Sequence, residues 1–370
     1  DDGRAQTFLA SLPQLASSKN TRTAYLSSLK EVSVIDLAHN DAQAMTTVPL
    51  QHEPSYLALG DAHVSCGMNN QAWFYNVDNF VDPETNHTSN TPQLVNQREY
   101  MGVVDQIAMA DVYAIALCEG RGFVHAIDAR DDPNETNEFS VPERGETQRV
   151  GYVTCVAATA SIAVYGTATG YVRLISVTDR GVCVGEHRHD EGITGVYPNQ
   201  NGTRVIFVDD TNVPTLYDPV GENTWNIPHD EHTAHFQSEQ NTLTVLWDVF
   251  DPDVFTIADG YSFRVYTYSP VSIDGPQIQF VGVHPQQPGS TPVSLVDGTI
   301  SWQNSSSQIA SEVLITHDAV LSYEDYFVKG HGAGERFARA ISLNKLQVAW
   351  EVAIKIRSPE MWEQLAHKAM

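Results

Sequence analysis

The sequence predicts a mainly β fold, a seven-bladed propeller that runs into the first helices of an α-solenoid. Three observations carry this: short apolar runs that alternate with polar residues, a recurrence of those runs at roughly 40 to 50 residues, and a change to helical spacing near residue 330. A sheet repeat leading into a helical repeat is an architecture of assembly subunits.

Each repeat unit pairs apolar strands across a turn of Gly, Asn or Asp. The clearest copy is Ile193 to Pro198, the turn at Asn201-Gly202, Arg204 to Val208, Asp209-Asp210, and Pro214 to Asp218. This is the pattern of a WD40-like blade. Arg22 to Ser27 with Glu31 to Leu37 supplies the first unit, and Tyr56 to Leu59 with Ala72 to Val77 the second. Ile107 to Met109, Val112 to Cys118 and Phe123 to Ile127 form the third; Thr154 to Val156, Ile162 to Gly166 and Tyr171 to Val177 form the fourth, around a Thr169-Gly170 turn. Leu243 to Phe250, Val254 to Ala258 and Phe263 to Tyr268 give the sixth unit, and Thr291 to Trp302 with Ile309 to Ile315 the last. Val34, Phe74, Val124, Val172, Leu216, Val265 and Ile309 are taken as markers of the outer strands. Trp247-Asp248 is the only Trp-Asp dipeptide and is read as lying away from a strand end, so the repeat is degenerate.

The predicted division is a propeller over 1–325, a linker over 326–334 with a hinge or cap at Gly330 to Gly334, and tetratricopeptide-like helices over 335–370. Glu335 to Leu343 and Leu346 to Ile356 read as two helices, with Phe337, Ala340, Ile341, Leu346, Ala349, Trp350 and Ala353 on apolar faces. Ser358-Pro359 reads as an N-cap and first-turn proline opening a third helix. There Trp362, Leu365, Ala366 and Ala369 match the opening of a tetratricopeptide helix, and the tryptophans read as repeat core. The start at Asp1 and the stop at Met370 are expected to be fragment boundaries.

The formal net charge of −25, spread without a basic stripe, repels phosphate backbones and anionic lipid, so nucleic acid is not expected as a partner. No apolar run reaches the ~18 residues of a membrane span, so no direct membrane insertion is expected. Cys66, Cys118, Cys155 and Cys183 sit in apolar runs without Cys-x-x-Cys pairing and read as buried reduced thiols. Asn86, Asn134, Asn201 and Asn304 begin Asn-x-Ser/Thr triplets, which carry little weight in Asn/Thr-rich loops. The acidic stretches 78–98 and 129–147 read as solvated loops between blades.

Candidate chemistry is sparse. His229, His232 and His235 flank carboxylates and could converge on zinc, but the order is not His-Glu-x-x-His and the segment follows Pro228; a solvated linker is the plainer reading. His187 and His189 fall on one side of a strand, where structural roles are expected. Asp218 to Trp225 holds the ingredients of the Asp-box of sialidase-like propellers at the wrong spacing. No nucleophile elbow, P-loop or dinucleotide fingerprint is present. No enzyme activity, catalytic residue, cofactor or metal is expected, and the interaction surface is left unassigned.

The wording of several blades is more specific. Glu53 to Gly60 leading into Gly67-Met-Asn-Asn-Gln-Ala-Trp-Phe-Tyr75 resembles a blade of the intraflagellar transport protein 144 family, also called WD repeat-containing protein 19. Tyr25 to Leu37, Tyr165 to Gly170 and Asn201 to Asp209 are similar to further blades in the same order. The resemblance implies the second propeller and first solenoid helices of a non-enzymatic scaffold subunit of intraflagellar transport complex A. Its partners would be the other complex A subunits, a tubby-like adaptor for ciliary membrane-protein entry, and retrograde trains driven by cytoplasmic dynein 2. Its implied location is the cilium or flagellum, the basal body and the cytoplasm. The alternatives are another coat-like propeller and solenoid trafficking subunit or, in a different class, a sialidase-like propeller hydrolase.

Overall fold

Tight turns set the architecture. Asn20, Asn69 and Glu119 adopt left-handed φ of 54°, 53° and 47°, with Gly120 and Gly170 at 77° and 88°, so successive strands fold back as hairpins. In a computed structural model, residues 12–38, 44–78, 80–81, 88–89, 91–128, 138–179, 181–228, 243–269, 275–314, 333–342 and 346–369 are described.

Seven antiparallel sheets follow one another. The first holds Ala16–Lys19 (β1), Arg22–Ser28 (β2), Glu31–Asp36 (β3) and Thr46–Pro49 (β4). The second holds Tyr56–Leu59 (β5), His63–Met68 (β6) and Gln71–Asn76 (β7); a small hairpin, Phe80–Val81 (β8) and Thr88–Ser89 (β9), precedes its last strand, Gln93–Glu99 (β10). Val104–Met109 (β11), Tyr113–Cys118 (β12), Arg121–Ala126 (β13) and Phe139–Val141 (β14) make the third, followed by the short helix Thr147–Val150 (α1). The fourth is Val153–Ala158 (β15), Ile162–Thr167 (β16), Tyr171–Ser176 (β17) and Cys183–Arg188 (β18). The fifth is Ile193–Pro198 (β19), Val205–Asp209 (β20), Pro214–Asp218 (β21) and Asn223–Asn226 (β22). Thr244–Trp247 (β23), Val254–Ala258 (β24), Ser262–Ser269 (β25) and Gln277–Pro285 (β26) form the sixth; Thr291–Val296 (β27), Thr299–Gln303 (β28) and Ile309–Val313 (β29) are the described strands of the seventh.

The first strand of each blade contacts the first strand of the next, and β27 contacts β1, so the ring closes. Six apolar clusters fill the six seams from the first blade to the seventh. At the closing seam Gln14 bonds Gly289 and Thr291 at 2.6 and 2.9 Å, and the Ser18 hydroxyl donates to Val293 O at 2.6 Å. Second and third strands are buried on both faces, as in β17 and β20, because a blade lies on either side. Fourth strands such as β10 and β18 face solvent.

This geometry corrects several expectations. Val34, Phe74, Val124, Val172, Leu216 and Val265 mark third strands, each at most 1% exposed, with a fourth strand outside them. Trp247 does end a strand, the innermost strand β23. Among the described residues, 78–98 contains the β8–β9 hairpin and most of the fourth strand β10, and 129–147 contains the fourth strand β14 before the residues that lead to the next blade, so neither stretch is only a loop between blades. Cys66, Cys118 and Cys155 are buried, but Cys183 is exposed because β18 is an outer edge.

At the C-terminal end, Ala333–Ser342 (α2), Leu346–Ile356 (α3) and Pro359–Ala369 (α4) pack on one another through Phe337, Ala340, Ile341, Ala349, Val352, Ala353 and Leu365. α2 begins inside the segment expected to be a hinge. Trp350 and Trp362, expected on the apolar face, are 45% and 38% exposed, and Val352 takes the buried position instead.

Candidate functional site

The seven first strands line a central channel of about 380 Å³. Its lower mouth, where first strands turn into second strands, is crossed by side chains. The Asn20 amide donates to Asp61 Oδ1 at 2.6 Å and the Gln200 amide to Asn20 Oδ1 at 2.7 Å, joining the first, second and fifth blades. Lys19 reaches Ala158 O in the fourth blade at 3.3 Å. Burial lowers its ammonium pKa, with Asp61 and Asp111 opposing. Gln106 donates to Val156 O and accepts from Val156 N, at 3.0 and 3.3 Å, which fastens the third blade to the fourth. These groups tie blades together, with the Lys19 ammonium and the Asp61 carboxylate both at the mouth.

The residues singled out in the sequence separate in space or serve packing. His187 lies over Phe207 and Tyr217, with ring centroids 5.6 and 5.1 Å away. His189 lies edge-on to Phe207 and 3.2 Å from Asp209, whose other oxygen caps Thr211 and Val213 amides at 2.9 and 2.8 Å. Both imidazoles therefore fasten the fourth blade to the fifth. Asp218 accepts from Val220 N at 3.0 Å and closes the turn between β21 and β22, while Trp225 packs 5.7 Å from the Tyr268 ring of the next blade. Asp248, of the lone Trp-Asp pair, accepts from the Phe250, Asp251 and Gly298 amides at 2.8, 3.1 and 2.7 Å, bridging the sixth and seventh blades. His229, His232 and His235 lie outside the described residues. Among the described residues no three His, Cys, Asp or Glu side chains gather as a metal site.

Two polar clusters escaped the sequence reading because their members are far apart in the chain. Arg173, 7% exposed in β17, pairs with Glu146 and Glu186 at 2.8 Å each and donates to the Tyr165 hydroxyl at 3.0 Å. Burial works against its charge, yet the Glu146 hydrogen bond leads a net rise in its pKa, and the same bond lowers that of Glu146. α1 holds Arg149 over the Tyr171 ring at 5.3 Å, extending the clasp. The second cluster is the fully buried His125. Its Nδ1 lies 2.8 Å from Ala126 O and its Nε2 2.7 Å from the Tyr100 hydroxyl, with Phe74 edge-on at 5.6 Å. This assigns Nδ1–H as donor and Nε2 as acceptor of the phenol proton.

Burial, helped by the Arg98 charge, pushes the His125 pKa down from 6.5 to about 4. A histidine held neutral binds fewer protons folded than unfolded between those values, so stability falls as pH drops from 6.5 and levels off near 4. The expected loss is about 3 kcal/mol. Urea denaturation at pH 7 and pH 4.5 checks this, with His125→Phe expected to flatten the dependence.

Comparison with known proteins adds a lineage to this geometry. The family model described as WDR19 second beta-propeller matches residues 23–317. The chain belongs to the WD repeat-containing protein 19 family. It is 29% identical to WD repeat-containing protein 19 of Mus musculus over 98% of this chain, and 28% identical to that of Homo sapiens over all of it. WD repeat-containing protein dyf-2 of Caenorhabditis elegans is 23% identical, again over the whole chain. The chain spans about a quarter, 26%, of the length of each of these WD repeat-containing relatives. Among solved structures, the Myceliophteria thermophila Cps50 (Swd1) β-propeller domain superposes with a TM-score of 0.54 at 10% identity, covering 82% of this chain and 97% of that one. A chain of the Mitotic Checkpoint Complex gives 0.53 at 12% identity, covering 82% and 89%. At such identities the likeness is one of fold. In this WD repeat-containing protein 19 family member, the run Gly67 to Tyr75 falls on the β6–β7 hairpin of the second blade.

Proposed function

We propose that this chain is the second propeller and the opening solenoid helices of a scaffold subunit of intraflagellar transport complex A. The division proposed is the one expected from the sequence, a propeller over 1–325, a linker over 326–334 and tetratricopeptide-like helices over 335–370, with the last boundary moved back to Ala333, where α2 begins. The observation that carries this reading is the family match across residues 23–317. The physical design agrees with it: blades locked by buried seams and by bonds across the channel make a rigid disc, which suits docking. α2 to α4, packed through small residues such as Ala340, Ala349 and Ala353, are suited to stack on further helices. On this reading the protein is no enzyme. It works in cilia or flagella, at the basal body and in the cytoplasm, supporting retrograde trains driven by cytoplasmic dynein 2 and membrane-protein entry through a tubby-like adaptor.

The test is recovery of a tagged full-length protein from ciliated cells. Co-purification of the other complex A subunits and a ciliary signal are expected; loss of both would refute the assignment. A hydrolase would instead turn over a glycosidase substrate panel and lose that turnover in Asp218→Ala.

A further inference from the structure

The upper face carries the turns between second and third strands and the loops that enter each next blade. Across the third to fifth blades these interlock into one continuous strip. A Cβ built on Gly102 would lie 2.7 Å from the Glu119 carboxyl carbon, and one on Gly120 would lie 3.0 Å from the Tyr152 side chain, so these segments are in direct contact. Backbone bonds carry the strip onward: Ala168 N to Tyr152 O at 3.0 Å, His189 N to Gly170 O at 2.8 Å, and Asp210 N to Gly192 O at 2.8 Å. At one end stand Met101, 99% exposed, Tyr152, 66%, and Val103, 54%. Glu119 stands among them, between Gly102 and Tyr152, and Glu191 and Asp210 line the rest, all exposed. The turns that make the strip, 100–103, 119–120, 151–152, 168–170, 189–192 and 210–213, hold no lysine or arginine, and the arginines that flank them are engaged elsewhere: Arg121 with Ser140, Arg149 with Glu146 and Glu186, and Arg188 over the Tyr171 ring.

An apolar end exposed to this degree marks an interaction surface, and the unbalanced carboxylates choose the partner's sign. Nucleic acid and anionic lipid are repelled, and a second copy would set like charge against like on a chain of net charge −25. We infer that this strip docks a lysine- and arginine-rich segment of a partner protein, with an aliphatic or aromatic anchor seated against Met101 and Tyr152. The guanidinium or ammonium groups pair with the carboxylate row, and Tyr152 offers a ring face to one of them. The inference rests on the protein-docking reading above.

Fluorescence anisotropy of the 370-residue chain with a short labelled peptide of alternating arginine and leucine tests it, beside a copy with every leucine replaced by serine. The leucine peptide is expected to bind, and the serine copy to bind about tenfold more weakly. Met101→Ser with Tyr152→Ser, and Glu119→Lys with Glu191→Lys, are each expected to weaken binding by about tenfold or more. Asp111→Lys with Glu222→Lys, an equal charge change at lower-face turns, is expected to change it less than about twofold. Thermal melts check folding, and Glu119→Gln with Glu191→Gln replaces any lysine pair that unfolds. No binding, equal binding of the serine copy, or equal loss from the lower-face pair overturns the inference. Lost peptide binding with complex A recovered refutes the surface alone; peptide binding without complex A refutes the assembly reading alone.

Discussion

Gly67→Ala is expected to destabilise the propeller by about 3 kcal/mol or more, from a single methyl group in a strand. Gly67 lies opposite Tyr56 in the β5–β6 ladder and opposite Ala72 in the β6–β7 ladder. The Tyr56 ring crosses it to donate from its hydroxyl to Gln71 O at 2.5 Å. A Cβ at Gly67 would fall inside contact distance of both that hydroxyl and the Gln71 carbonyl oxygen, the latter a backbone atom in a paired strand. Glycine in a strand interior marks such a close approach, and here the Gln71 carbonyl cannot move without breaking the β6–β7 ladder, while displacing the phenol breaks its bond to that carbonyl. Thermal or urea denaturation measures the loss. Tyr56→Phe in the alanine background is expected to recover only part of it, because the carbonyl clash remains; full recovery would assign the whole effect to the phenol.

The double change Glu146→Gln with Glu186→Gln is expected to cost about 3 kcal/mol, because it leaves the buried Arg173 guanidinium without an anion. Arg173→Met is expected to cost less. It removes the one charge that is buried, and the two carboxylates left behind are already 33% exposed and can hydrate. Urea denaturation of the two variants ranks them, and the reverse order would mean that hydrogen bonding to Tyr165 dominates. Because Arg173 holds the Glu146 carboxyl below its usual range, the stabilisation is present above the unfolded carboxyl pKa and is lost as pH falls through the folded one. That loss overlaps the lower part of the window in which His125 resists protonation. The Arg173 variant therefore separates the two causes of acid sensitivity.

How much of this was legible varies by strand. Second and third strands such as β12, β17 and β20 are buried along nearly their whole length and mostly apolar, and they stood out, since a blade covers each face. The first strand β1, Ala-Ser-Ser-Lys, was invisible because it lines an open channel, where all four of its residues stay half-buried and no apolar alternation is needed. Fourth strands such as β18 were missed because outer edges keep water on one side and need no apolar alternation. The tryptophans of α3 and α4 misled for a related reason: helical spacing places Trp350 and Trp362 on a face, but only packing decides which face is covered. The channel bridge from Asn20 to Gln200 and the Arg173 clasp join residues far apart in the chain, and no local pattern announces them.

The repeat period and the mainly β class were legible in the chain, because turn residues and doubly buried strands are local demands that each blade must meet alone; the family was legible through the likeness of particular runs such as Gly67 to Tyr75. Tertiary structure decided which strand lines the channel, which carboxylates meet Arg173, and that Met101, Glu119 and Tyr152 share one surface. Those outcomes depend on how separate blades are apposed when the ring closes, and apposition is written in no single blade.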